Sequence, residues 1–249
     1  MTELRRRRSV SSTAVLELLA RQLDDLGSPA AGFEVVDVGG GTGGVATALA
    51  GLGHQVTVVY PSPDALASLE RRTADAGLGG RIRGRQGDAA ELVDVLGPAS
   101  TDVVVCHRVL EVVESAAEAL AAMAAVLRPG GALSLLVSQR KAVVLSHALA
   151  GHVTLARQAY ADRSRFDHDQ LLTLVQQAGF VVQASHGIGA VSAHVAEAVL
   201  DADPGARREL DALEAEISQD PTFRALAPQV HVFARRLPVT DGPAGDPAR

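Results

Sequence analysis

From about residue 34 to residue 140, short apolar runs alternate with stretches whose apolar residues recur at helical spacing. Glu34-Val35-Val36-Asp37-Val38 is brief, β-branched and stopped by a glycine cluster, which predicts a buried strand. Residues 55–59, a weaker run at 81–86, residues 102–106 and residues 132–137 predict four more strands. Between them, residues 45–52, 89–96 and 114–127 carry helical spacing. Ser62-Pro63-Asp64 opens a further helix: Ser62 suits the N-cap, Pro63 the first turn and Asp64 the positive end of the dipole.

Strands alternating with helices of this length imply right-handed crossovers and a parallel sheet covered on both faces. The near-continuous apolar strands agree, because such strands are buried on both sides. After Gln139 the rhythm changes. Residues 141–165 hold a helical stretch and then the polar Asp162-Arg163-Ser164-Arg165. Asp167 reads as the cap of a helix ending at Ala178-Gly179, Phe180-Val181-Val182 begins a strand, and Gln229 to Ala234 alternates as a final one. The expected fold is therefore α/β: a doubly wound, seven-stranded, mostly parallel sheet with helical insertions at about 141–165 and 193–227. Residues 12–236 form one domain in this reading. Residues 1–11 are a flexible basic start, an amphipathic helix runs from about Ala14 to Leu26, and the Pro- and Gly-rich residues 237–249 are a disordered tail.

Composition narrows the partners. The 249 residues are 47% hydrophobic with a net formal charge of −6, so the chain is too apolar for disorder and too acidic for broad nucleic-acid binding. One cysteine, Cys106, excludes an intramolecular disulfide framework and an all-cysteine metal site. The Arg5–Arg8 run looks like a signal-peptide start, but Ser11-Ser12-Thr13 and then Glu17, Arg21, Asp24 and Asp25 break any apolar core. No apolar run is long enough for a membrane span. A cytoplasmic protein with no membrane partner and no metal is expected. Arg5–Arg8 reads as a solvated terminus, with a local RNA-phosphate contact as the sharper alternative.

The strongest chemical signal is Asp37-Val38-Gly39-Gly40-Gly41-Thr42-Gly43-Gly44 between a strand and a helix. Glycines there allow a tight turn and leave room for a ligand against bare backbone. In an open parallel sheet this turn lies at the carboxyl edge, where ligands bind. Gly39, Gly41 and Gly44 satisfy G-x-G-x-x-G, the dinucleotide fingerprint, and a nicotinamide oxidoreductase is one reading. Gly39, Gly41 and Gly43 after Asp37 also satisfy D-x-G-x-G-x-G. An acid beside a pyrophosphate is unhelpful, whereas an acid beside an ammonium group attracts it.

That second pattern resembles motif I of the class I S-adenosylmethionine (AdoMet) methyltransferases. Val126-Leu127-Arg128-Pro129-Gly130-Gly131 resembles their turn into strand five. Gly53-His54-Gln55-Val56, His107 with Val109-Leu110-Glu111, Ala150-Gly151 and Ala178-Gly179-Phe180 resemble the bacterial tRNA 5-carboxymethoxyuridine methyltransferases, which methylate a carboxylate on a wobble uridine. The resemblance spans roughly residues 12–236. It implies AdoMet as cofactor, held by Asp37, Gly39, Gly40, Gly41, Thr42, Gly43, Tyr60, Pro61, Asp64, Asp88, Ala89, Cys106 and His107. Asp88 follows strand three, where the family often binds the adenine amino group. It implies a methyl acceptor, a small molecule or tRNA, offering an oxygen or nitrogen nucleophile to Arg108 and Glu111.

Three positions depart from that pattern. Tyr60 stands where the family usually has an acid for both ribose hydroxyls, with Asp64 one helical turn away as a substitute. Ser11-Ser12-Thr13 lacks the N-terminal arginine of the wobble-uridine enzymes, and Gly189 stands where an arginine is typical. A degenerate homologue acting as a binding or regulatory protein is therefore an alternative to a working enzyme. A carboxylate nucleophile is ionised at neutral pH and needs no base. For a hydroxyl or amine, His107 is the candidate base; it also reads as a cofactor contact or a packing residue. Arg108 faces a substrate anion or pairs with Glu111. Cys106 reads foremost as a core thiol. His147, His152, His168, His194 and His231 lack metal-ligand spacing and read as surface or interface residues, and Asp167 and Asp169 around His168 read as a helix start. The two insertions read as substrate covers or as a homodimer contact.

Overall fold

The computed structural model describes residues 3–27, 29–41 and 43–237, and among these the side chains from Thr13 onward other than those of Glu197 and Pro204. Seven strands form one sheet: β1 Glu34–Val38, β2 Gln55–Tyr60, β3 Ile82–Gln86, β4 Thr101–His107, β5 Leu127–Ser138, β6 Phe180–Ile188 and β7 Gln229–Arg236. Their order is β3-β2-β1-β4-β5-β7-β6. β7 runs antiparallel to both neighbours; the other described pairings are parallel. The doubly wound, mostly parallel seven-stranded sheet read from the sequence is the observed architecture.

The first half follows the strand–helix alternation with α2 Gly44–Gly51, α3 Pro63–Asp75, α4 Leu92–Leu96 and α5 Ala116–Val126. The Ser62 hydroxyl accepts from the Ala65 N–H at 3.4 Å, as an N-cap should. α4 is a single short turn because Asp88-Ala89-Ala90 instead forms a turn in which the Asp88 carboxylate accepts from the Ala90 N–H. The helix α1, Glu3–Asp25, begins well before the expected Ala14. Residues 238–249, the expected tail, lie outside the described residues.

Alternating strand residues serve two cores. Val36, Val38, Val104 and Cys106 pack with Leu92, Leu120 and Met123 of α4 and α5, and with Leu171 and Val175 of α8, His168–Gln177. Val35, Val103 and Val105 pack on the other face with Leu19 and Leu23 of α1, Leu49 of α2 and Leu69 of α3. Small side chains such as Ala46, Ala50, Ala119 and Ala122 lie in this packing, so the chain needs few aromatics.

The first insertion is two helices, α6 Arg140–Leu149 and α7 Val153–Ala161. The second holds a short 3₁₀ turn, then α9 Glu197–Ala202, α10 Pro204–Ile217 and α11 Pro221–Leu226. Asp167 is the N-cap of α8, and its N–H donates to Gln170 Oε1 at 3.3 Å, as read from the sequence. Among the described residues no helix is long and apolar enough to cross a membrane.

Candidate active site

The glycine loop leaves β1 at the carboxyl edge and enters α2. Gly39 and Gly43 have φ of +73° and +70°, the left-handed region that favours glycine. Space demands glycine as well. A Cβ on Gly39 would lie 2.3 Å from a Val109 methyl, and one on Gly43 2.3 Å from a Leu69 methyl. A Cβ on Gly40 would lie 2.1 Å from Asp37 Oδ2. Thr42 lies outside the described residues.

Asp37 is the unusual group beneath this loop. It is 1% exposed, and its Oδ2 is buried without a hydrogen-bond partner. Burial lifts its pKa from 3.8 to about 7, with a backbone hydrogen bond at Ala46, in the first turn of α2, opposing the rise. A carboxylate with an orphaned oxygen under a glycine cradle is poised for a cationic partner.

Tyr60, at the end of β2, is half-buried on the same core as α1, α2 and α3. Its ring approaches Gly41, where a Cβ would meet Cε2 at 3.2 Å. Pro61 and Asp64 are exposed beyond it, and the Pro61 carbonyl accepts from the Gln86 amide at 3.2 Å. Asp88 is exposed after β3. Two expected cofactor contacts turn out to be core side chains. Cys106 is fully buried against α5, where burial, Glu111 and Asp37 push its thiol pKa up, and Ala89 packs in the same cluster. Their side chains face the core away from the Asp37 side of the sheet.

His107 ends β4, and its Nε2 lies 2.9 Å from the Ser134 hydroxyl. Burial, with the neighbouring Arg108 charge, pushes its pKa from 6.5 down to about 3. A base so weak is poorly matched to proton abstraction at neutral pH. The expected Arg108–Glu111 pair is absent among the described ion pairs. Glu111 Oε1 instead accepts from the Ser138 N–H at 2.6 Å, and its Oε2 is buried and unpartnered. Arg108 is exposed and sits at φ +60°, a strained conformation for a side chain of its size. Gly189 follows β6 at φ +79°, a backbone that disfavours the arginine typical of the wobble-uridine enzymes.

Two histidines expected at the surface or an interface, His231 and His168, are covered, and a third, His186, is buried as well. His231 is fully buried, not a surface group: it shares a face with its register partners Leu136 and His186, and Val15 of α1 packs against Leu136 there. His186 is 5% exposed and stacks on His231 with centroids 6.1 Å apart. His168 is largely covered as well, its Nε2 3.1 Å from the Ser185 hydroxyl. Strand alternation flagged His231, but only the packing of α1 across this face shows that it is covered.

Arg140, the first residue of α6, is also buried and was not singled out from the sequence. It pairs with Asp167, and its guanidinium carbon lies 5.9 Å from the Tyr160 ring centre. The outer surface of α6 and α7 carries exposed Leu149, Val153, Leu155 and Tyr160.

Residues 36–135 match a family model described as a methyltransferase domain. A ubiquinone biosynthesis O-methyltransferase of Burkholderia multivorans is 30% identical over 151 residues, 61% of this chain and 63% of that protein. A protein of the same name from Xanthomonas euvesicatoria is 32% identical over 129 residues, 51% of this chain and 52% of that one. The chain thus spans less than two thirds of the length of these curated relatives. Among solved structures, the [4+2]-cyclase SpnF superposes with a TM-score of 0.60 at 20% identity, over 88% of this chain and 80% of that one. A geranyl diphosphate methyltransferase in complex with SAM superposes at 0.56 and 19% identity, over 90% and 85%. Likeness at this identity speaks for the fold alone. Residues 36–135 are thus similar to a methyltransferase domain, and the chain has the fold of these solved structures.

Proposed function

We propose that the protein is an AdoMet-dependent methyltransferase acting on an oxygen nucleophile. The observation that carries this reading is Asp37: a buried carboxylate with one orphaned oxygen, directly under the glycine cradle. Its chemistry fits the ammonium group of AdoMet, whose positive charge would draw the carboxyl back to its ionised form. Gly39, Gly40, Gly41 and Gly43 would leave the backbone bare beside the cofactor. Tyr60 would offer one phenolic hydrogen bond to the ribose, and exposed Asp88 an acceptor for the adenine amino group.

When bound, AdoMet supplies an electrophilic methyl on a sulfonium, so the protein's task is to align the acceptor for in-line attack. The low basicity of His107 argues against general-base catalysis there. An acceptor oxygen that is already anionic, such as a carboxylate or an acidic hydroxyl, needs no such base. Arg108 is the exposed cation beside it. The O-methyltransferase names of the sequence relatives support oxygen as the acceptor atom. A tRNA carboxylate is the finer reading that the motif resemblance favours; the net charge of −6 sits poorly with it. The homodimer expected of the helical insertions rests on Leu149, Val153, Leu155 and Tyr160 and is read by sedimentation velocity.

Calorimetric titration with AdoMet and with its demethylated product tests the cofactor assignment. Micromolar binding is expected. No binding at millimolar ligand would favour the degenerate homologue, a reading to which the Tyr60 ring over Gly41 lends support. Binding of NADH in a parallel titration would favour the oxidoreductase.

A further inference from the structure

A polar chain crosses the sheet beneath α1. In the strand register His107 of β4 opposes Leu136 of β5, Leu136 opposes His231 of β7, and His231 opposes His186 of β6. Residues paired this way share a face, and so does Ser134, two positions before Leu136. The Ser134 hydroxyl lies 2.9 Å from Nε2 of His107 and 2.9 Å from Nε2 of His231. Ser134 and His231 are fully buried. Val15 and Leu18 of α1 pack against Leu136 and Ile188 over this face.

A hydroxyl has one proton, so Ser134 can donate to only one of the two rings and must accept from the other. Two arrangements satisfy both contacts. In the first, His107 donates from Nε2, Ser134 donates to His231, and the His231 proton is left on Nδ1. That Nδ1 is buried with no partner. In the second, His231 donates from Nε2 to Ser134, Ser134 donates to His107 Nε2, and the His107 proton sits on Nδ1. This leaves only a lone pair at the buried His231 Nδ1. An orphaned buried N–H is rarely tolerated, which favours the second arrangement. Among the described residues His107 Nδ1 has no hydrogen-bond partner, so its proton remains available to a ligand.

We propose that Ser134 and His231 are positioning residues that lock His107 as its Nδ1–H tautomer, making it a hydrogen-bond donor to an anionic oxygen of the methyl acceptor. Such a donor holds an oxygen that already carries charge and offers no lone pair to an amine that must lose a proton. Selection of oxygen over nitrogen then follows from a hydroxyl two strand positions away. The depressed basicity of His107 agrees, since a neutral ring is what the arrangement requires. The functional end of this proposal rests on the methyltransferase reading; the tautomer does not.

Long-range ¹H–¹⁵N correlation spectra of histidine-labelled full-length protein, recorded without cofactor, read the tautomers directly. The expected pattern is a protonated Nδ1 on His107 and a protonated Nε2 on His231. Ser134→Ala should shift His107 toward the Nε2–H form, whereas His231→Gln, which keeps an amide donor toward Ser134, should preserve the Nδ1–H form. His107 protonated on Nε2 in the unaltered protein, or a tautomer indifferent to Ser134→Ala, would overturn the proposal. Should the variants fail to fold, the unaltered spectrum alone decides. AdoMet titration of the same sample separates this outcome from failure of the cofactor assignment.

Discussion

Tyr60 closes over Gly41: a Cβ on the glycine would stand 3.2 Å from ring atom Cε2 and 3.5 Å from the phenolic oxygen. The phenol therefore occupies the loop at the strand end where an acid is usual in the resembled family. A carboxylate accepts two hydroxyl hydrogen bonds and a phenol at most one of comparable strength. Tyr60→Asp should tighten AdoMet binding by about tenfold, one charge-assisted hydrogen bond's worth. The same change removes a ring from the α1-side core and should lower the melting temperature by several degrees. Calorimetry and a thermal melt read the two effects separately; weaker AdoMet binding would show that the tyrosine has a role of its own.

Asp37 should make that binding pH-dependent. Its pKa of about 7 means that the unliganded protein holds a proton there below neutrality, which an ammonium ligand must displace. Affinity should rise as pH increases from 5 to 7, by up to about tenfold per unit, and then level. Asp37→Asn should flatten this slope and weaken binding. Stability has the opposite sense. The folded pKa is raised, so stability from this group is present below pH 3.8 and lost as pH rises toward 7. Asp37→Asn should therefore stabilise the unliganded protein at pH 8 by on the order of 2–4 kcal/mol, read by urea denaturation.

Gly40→Ala tests the cradle more locally. The added methyl would fall 2.1 Å from Asp37 Oδ2, so either the loop or the carboxylate must move. AdoMet affinity should drop by at least about tenfold, whereas Gly44→Ala, whose Cβ meets nothing within 4 Å, should leave it unchanged. Equal effects of the two substitutions would show that the loop does not hold the ligand.

The strands and the glycine loop were legible because local signals suffice for them. Short valine runs specify β1, β2 and β4, with glycine before or after the first two, and Ser62 and Asp167 cap their helices by side-chain chemistry within three residues. The buried histidines were not legible, for a reason of topology. Gln229-Val230-His231-Val232 alternates like a half-exposed strand, and only α1, packed against Leu136 beside His231, covers the second face. Cys106 and His107 are consecutive and face opposite sides of the sheet, as the strand's own period requires. The Ser134 contacts span 27 and 97 positions, beyond the reach of any local pattern.

The buried histidines should make the protein acid-labile. Burial depresses the pKa of His54, His107, His186 and His231 below 6.5. The unfolded chain then binds protons that the folded one refuses, so their contribution is intact above pH 6.5 and is lost as pH falls below it. Asp37 opposes this with one group against four. Between pH 7 and pH 5 the balance is a loss of roughly 2–3 kcal/mol, visible as a falling urea midpoint. His231→Gln removes one such group and should shallow the slope; an unchanged slope would place its titration elsewhere.

Arg140 and Asp167 should behave as a coupled pair anchoring the cover helices. Arg140 opens α6 and Asp167 caps α8, and the two side chains are 8% and 15% exposed. Arg140 Nε and Nη1 and Asp167 Oδ1 are buried without partners, so neither ion is fully compensated. Removing one member leaves a buried charge alone, which costs about 3–5 kcal/mol, whereas replacing both with neutral groups costs far less. Arg140→Met should therefore be severely destabilising. Arg140→Met with Asp167→Asn should recover most of the loss, since asparagine still caps α8. A double-mutant cycle by urea denaturation measures the coupling. Strict additivity would mean that the pair does not hold α6 to α8, and that the cover is secured by apolar contacts such as Phe166 against the β-sheet core.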